Sequence, residues 1–317
     1  MNELYPLVRA VAIFFLLVVF VQLLKRRGIF NDTHLGVFGW IITELILPIT
    51  IFSTLAVSRI EYQFMYAAAI YFIVSILTCC IAYVICHFLH FSRAITGTLI
   101  ILSGVGSTST VAYPIISQTF GVASDAMTRA LIIGEFGSII PLFTIGVLIV
   151  SYFGKNTGET SKTWHDTFYS FFRTPIFFSL VAGLGVSMVP MLSGLMASDF
   201  ITQLFAYFNN GFELLVAITI GLMLRPVKIT KILPYLVITL PLSLIFMPVS
   251  AYGLATFFQI PPMTREILVI EAAAPSGAVA AVLADRYGCD GALASMIVVV
   301  SFFLSLVTLP VLSALLL

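Results

Sequence analysis

Charge is what this sequence has least of. Only 9% of its 317 residues are Asp, Glu, Lys or Arg, against roughly 25% in a water-soluble domain. Too little polar surface is left to face water. The net charge is +1 and no basic stripe exists, so no nucleic-acid partner is expected. Cysteine is also scarce. Cys79, Cys80, Cys86 and Cys289 form no CxxC pair and read as small buried apolar residues. The four histidines, His34, His87, His90 and His165, fall at the ends of apolar runs or between them. There is no HExxH and no pair of catalytic aspartates, so no enzymatic activity is expected. No small-residue cleavage site follows the first apolar run, which leads straight into Lys25-Arg26-Arg27.

Apolar sequence is abundant. Hydrophobic residues make up 60% and the mean hydropathy is +1.12. A hydrocarbon core of about 30 Å takes roughly 20 apolar residues per helix. Ten runs meet that length approximately: Pro6–Leu24, Leu35–Leu55, Met65–Leu89, Ala94–Phe120, Ala130–Phe153, Pro175–Leu192, Ile201–Leu224, Leu233–Phe257, Ile267–Ala284 and Ala292–Leu316. Nine or eleven spans are the alternatives. With the N-terminus outside, Lys25, Arg26, Arg27, Arg93, Lys155, Lys162, Arg173, Arg225, Lys228, Lys231 and Arg286 fall inside. Arg9, Arg59, Arg129 and Arg265 fall outside. That bias is the one cytoplasmic loops carry. It predicts an all-α, multi-pass protein of the cell (plasma or inner) membrane with both termini outside.

The longest connection, residues 154–174, divides the chain into residues 1–153 and 175–317, five spans each. An odd number of spans makes the second set enter the membrane upside down, the plan of an inverted repeat. Two traces support it. Glu44-Leu-Ile-Leu-Pro-Ile-Thr-Ile51 and Glu213-Leu-Leu-Val-Ala-Ile-Thr-Ile220 agree at five of eight positions, 169 residues apart. Phe120-Gly121 and Tyr287-Gly288 lie 167 apart near the ends of spans four and nine.

Spans four and nine are interrupted. Span four contains Ser103-Gly-Val-Gly-Ser-Thr-Ser-Thr110 and then Pro114, and the break is expected near Pro114. Span nine contains Ala272-Ala-Ala-Pro275-Ser276-Gly277. Glycine loosens a helix and proline removes a backbone donor. Non-helical backbone at membrane depth persists only where it is buried or lines a cavity. Ser107, Thr108, Ser109, Thr110, Pro114, Pro275, Ser276 and Gly277 are therefore the candidate solute site. Their helix-end N–H groups suit a carboxylate. Pro141, Pro241 and Pro248 lack such neighbours and read as kinks.

Glu44, Glu135, Glu213 and Glu271 lie within spans that contain no Lys or Arg. A lone carboxylate at that depth is costly, so each is expected to be neutral, to hold a cation, or to bind a neighbouring helix. Glu271, Glu44 and Glu213, with Asn209, are the candidate ion-coupling residues. A sodium site would lie near Glu271 and Thr108. No cofactor is expected beyond Na⁺ or H⁺ as coupling ion.

The stretch Glu271-Ala-Ala-Ala-Pro-Ser-Gly-Ala-Val-Ala-Ala-Val-Leu-Ala-Asp-Arg-Tyr-Gly288 resembles the ninth helix of the auxin efflux carrier family. Asp290-Gly-Ala-Leu-Ala-Ser295, Leu309-Pro310, Leu47-Pro48 and Ile220-Gly-Leu-Met-Leu-Arg-Pro226 fit the same family. The resemblance implies ten helices with crossed, proline-broken helices four and nine. It also implies secondary transport of a small organic anion by an elevator-type motion. Ser107 stands where many members have Asn, and Ala280 where plant members often have another proline. Glu271 before the break also resembles the bile acid:sodium symporter family, whose Gly-x-Gln-Asn pattern is absent here. A third reading is a membrane sensor that kept the fold and lost transport. The expected partners are the anion, the lipid bilayer and, as a possible assembly, a second copy of the chain.

Overall fold

The computed structural model describes residues 4–57, 64–120, 125–154, 172–196, 198–224 and 229–316. Among these it is helical throughout, and its sole β-type pairing is one isolated bridge. The basic residues Arg59, Lys155, Lys162, Arg225 and Lys228, together with Gly121 and Pro226, lie outside the described residues. So do the side chains of Ser109, Pro114, Asn209 and Glu213.

Helix α1 is Leu4–Arg26. Helix α2 runs from Asp32–Trp40 through Ile41–Ile46 into Leu47–Val57. Then come α3 (Met65–Phe88), α4 (Arg93–Gly104) and α5, which joins Thr108–Ala112 to Tyr113–Phe120. Helix α6 starts with Asp125–Gly134 and ends with Val147–Phe153. The later helices are α7 (Pro175–Ser187), α8 (Pro190–Met196), α9 (Asp199–Met223) and α10, from Ile229–Pro241 to Met247–Phe257. Helices α11 (Pro262–Ala272), α12 (Ala278–Arg286) and α13 (Gly291–Leu316) complete the chain.

Among the described residues, five stretches are long and apolar enough to cross a membrane alone: Thr33–Ser53, Met65–Phe88, Asp125–Phe153, Thr230–Phe257 and Gly291–Leu316. These and other helices also turn large apolar side chains outward. Met191 is 85% exposed and Tyr207 80%, with Leu16, Phe20, Phe88 and Phe178 also turned outward. Apolar exposure on this scale favours hydrocarbon over water. The chain is a multi-pass helical membrane protein.

Inward faces carry the packing. Phe14 stacks on Phe302 at 4.5 Å, joining α1 to α13. At one end of α1, the Gln22 side-chain amide donates to the Gly221 carbonyl at 2.6 Å, and the Lys25 ammonium donates to Leu222 at 2.9 Å. These are last-turn carbonyls of α9, which lack helical partners and carry the negative end of the helix dipole.

Proline shapes several helices without ending them. Pro141 stands between two wide π-type turns, Glu135–Ile139 and Leu142–Gly146. Pro241 immediately precedes another, Leu242–Phe246. A π-turn inserts one extra residue and shifts the hydrogen-bond register past the missing N–H. Pro114 is handled the same way. It sits inside α5, just after the wide turn Thr108–Ala112, in which the Tyr113 amide bonds Thr108. The break of span four is therefore at Val105–Ser107, between α4 and α5, and not near Pro114. The glycines set its place: a Cβ at Gly104 would lie 2.3 Å from Cys79 Sγ and 2.8 Å from the Ser75 carbonyl. The break of span nine falls where the sequence puts it, at residues 273–277 around Pro275.

Candidate functional site

The two breaks meet. The Ser107 amide donates to the Pro275 carbonyl at 2.7 Å, and the Gly277 amide donates to the Val105 carbonyl at 2.9 Å. Together they form a single antiparallel bridge, Gly106 to Ser276, 170 positions apart. Each interrupted strand thus supplies donors and acceptors that the other lacks, which is how non-helical backbone survives away from water. The contact is close. A Cβ on Gly106 would come within 3.1 Å of the Tyr71 hydroxyl and 3.4 Å of the Glu271 carbonyl. The Ser276 amide is taken by Ser301 Oγ of α13 at 3.1 Å. The Tyr71 hydroxyl of α3 donates to the Glu271 carbonyl at 3.2 Å.

Around this bridge lies a buried polar cluster. Glu271 is wholly buried, and neither carboxyl oxygen has a hydrogen-bond partner. Ser276 Oγ and Ser103 Oγ are buried and unpartnered as well. Glu135 of α6 is buried and close enough to Glu271 to interact electrostatically. Tyr113 lies beside both acids and Thr108, yet its hydroxyl completes no strict hydrogen bond. Leaving so many buried polar atoms unfilled is costly for a structure whose only purpose is to fold.

Of the predicted solute residues, Ser107, Thr108, Pro275, Ser276 and Gly277 are buried at or beside the bridge. Thr110 is half-buried one turn along α5. The backbone of Ser109 and Pro114 follows α5. Asn209 and Glu213 lie on α9. Among the described residues, no group of three His, Cys, Asp or Glu is arranged for a metal ion. Thr108, Ser276 and the two carboxyls offer the hard oxygens that sodium prefers.

Glu44 differs from the expectation of acids without bases. The Arg286 guanidinium lies 3.6 Å from Glu44 Oε1 and donates from Nε to Thr43 Oγ1 at 3.3 Å. Arg286 ends α12, about 12 Å along the helix from its first residue, Ala278. Glu44 therefore has a counter-charge that Glu271 lacks among the described residues. Glu135, Tyr71 and Tyr113 are cluster residues that the coupling set Glu271, Glu44, Glu213 and Asn209 does not include. Their signal was weak: one acid without a repeat partner and two tyrosines among twelve.

Residues 6–313 match the model of a family described as "Membrane transport protein". One relative is an uncharacterized transporter of Methanocaldococcus jannaschii, 23% identical over 273 residues, covering 84% of each chain. The match spans both interrupted helices and the whole helical body between them, and the chain belongs to the membrane transport protein family, the auxin efflux carrier group.

Proposed function

We propose that this chain is a secondary carrier of a small carboxylate anion, with the α4–α5 and α11–α12 crossing as its solute site and Glu271 as its coupling group. The observation that carries this reading is Glu271 itself. A wholly buried carboxyl with two unpartnered oxygens stands four residues before Pro275, in an interrupted helix. An ionisable group inside a membrane protein points to a substrate or ion pathway. With no base beside it among the described residues, Glu271 is either neutral or companion to a cation. Exchange between those states couples a proton or Na⁺ to movement of the bridge. Glu135 shares that role through its proximity to Glu271, while Asn209 and Glu213 are secondary candidates on α9. The anion is met by the first N–H groups of α5 and α12, which have no helical acceptor. Ser107, Thr108, Ser109, Thr110 and Ser276 supply hydroxyls.

In this reading the helices form ten spans in two inverted sets of five, residues 1–153 and 175–317. The bridge supports it: Gly106 and Ser276 are related by nearly the offset that relates Glu44 to Glu213. Both termini face outside the cell membrane. The crossing bundle moves as a unit against a scaffold that includes α2 and α9, an elevator-type motion. Purified protein in liposomes tests the function. Uptake of radiolabelled dicarboxylates under imposed Na⁺, pH and voltage gradients is expected for at least one combination. Binding without uptake under any gradient would instead make the chain a sensor with a carrier's fold.

A further inference from the structure

A second site lies away from the crossing. Helices α3, α4 and α6 enclose a groove of about 520 Å³, walled by Ile76, Ile100, Ile145 and Ile149 with Cys79 and Cys80. Tyr83, Arg93 and Phe153 line it and also line an adjoining cavity of about 330 Å³, which holds His87 and His90. The groove runs along the helices. Ile76 to Tyr83, Arg93 to Ile100 and Ile145 to Tyr152 each span seven positions, about 10 Å of helix. Its long axis is therefore that of the helix bundle, the direction an acyl chain takes in a bilayer.

The mouth is built differently from the walls. One Arg93 amino group donates to the Tyr152 carbonyl at 2.6 Å, and the guanidinium lies over the Tyr152 ring, 4.8 Å from its centre. These contacts hold a guanidinium that is otherwise exposed. Among the described residues no carboxylate is paired with it. His87 and His90 are exposed on the same turn. An apolar channel with a fixed guanidinium at its mouth matches an amphiphile with an anionic head and a hydrocarbon tail.

We propose that this groove holds one acyl chain of an anionic phospholipid, with its phosphate against Arg93 and the His87–His90 turn. Native mass spectrometry of the purified protein tests it, with phosphatidylglycerol and phosphatidylcholine as probes. Wild-type protein is expected to retain phosphatidylglycerol in preference to phosphatidylcholine. Arg93→Gln should lower that retention about fivefold, the factor for one basic contact with an anionic headgroup. Arg93→Lys should largely keep it. Cys80→Trp leaves Arg93 intact but fills the groove, and should reduce retention of both lipids. In parallel, phosphatidylglycerol should slow maleimide labelling of the exposed Cys80. Equal retention of the two lipids by wild type, or unchanged retention in both Arg93→Gln and Cys80→Trp, would overturn the proposal. Displacement of the lipid by inorganic phosphate would overturn it too, because the site would then read a free anion.

Discussion

Ser107 and Pro275 are joined amide to carbonyl at 2.7 Å, across 168 residues of sequence and between two interrupted helices. The bond is half of a reciprocal pair, completed by Gly277 and Val105. Any movement of the crossing must carry both strands together or break both bonds.

An added side chain at Gly106 would be crowded at the bridge. A Cβ there would press on the Tyr71 hydroxyl and the Glu271 carbonyl. Gly106→Val should cost about 1–3 kcal/mol by overpacking. Gly253→Ala is the control, because nothing lies within 4 Å of its added carbon. It should be neutral or stabilising by about 1 kcal/mol through helix propensity. Thermal denaturation in detergent, followed by tryptophan emission, compares the two. Equal melting temperatures would mean that the strands are not tightly apposed.

Ser301 completes the site from α13. Ser301→Ala leaves the buried Ser276 N–H without an acceptor and should destabilise by about 1–3 kcal/mol. Ser301→Thr keeps an oxygen and should recover most of the loss. If alanine and threonine behave alike, the Ser276–Ser301 bond is not part of what holds the crossing.

Gly154, just after α6, packs against the end of α12. A Cβ would lie 1.8 Å from the Tyr287 carbonyl, a backbone atom that cannot swing aside. Gly154→Ala should therefore separate the end of α6 from the end of α12 and sharply lower the yield of monodisperse protein in size-exclusion chromatography. A normal elution profile and melting temperature would show that this contact is dispensable.

Much of this was legible in the sequence, and the exceptions have physical causes. Apolar runs and missing charge identify a membrane protein because lipid imposes composition. Pro275 and Glu271 could be singled out because each violates that composition locally. The break in span four was misplaced toward Pro114 because proline is the loudest local signal. The structure accommodates Pro114 just after the wide turn Thr108–Ala112, while Gly104 and Gly106 open the chain for close approach to Cys79 and Ala274. The ion pair of Glu44 with Arg286 was invisible because it joins residues 242 positions apart. The Tyr71–Tyr113–Glu135 grouping was missed for the same reason: three helices bring it together, and no single stretch of sequence records it.

Glu44 provides a contrast to Glu271. Both members of its ion pair are about one-third exposed, at 34% and 38%. Such a pair contributes less than about 1 kcal/mol. Glu44→Gln should shift the melting temperature little and leave the ion dependence of ligand binding as in wild type. A lost Na⁺ or pH dependence in Glu44→Gln would move the coupling role from the crossing to α2.

In the proposed mechanism the unpartnered carboxyl of Glu271 couples an ion to carboxylate transport. The most direct test is counterflow and gradient-driven uptake of the identified carboxylate in liposomes containing wild type or Glu271→Gln. Glutamine fixes the neutral form of the side chain with little change of shape. Glu271→Gln should still exchange substrate in counterflow but no longer accumulate it under a Na⁺ or pH gradient. Full gradient-driven accumulation by Glu271→Gln would contradict that coupling.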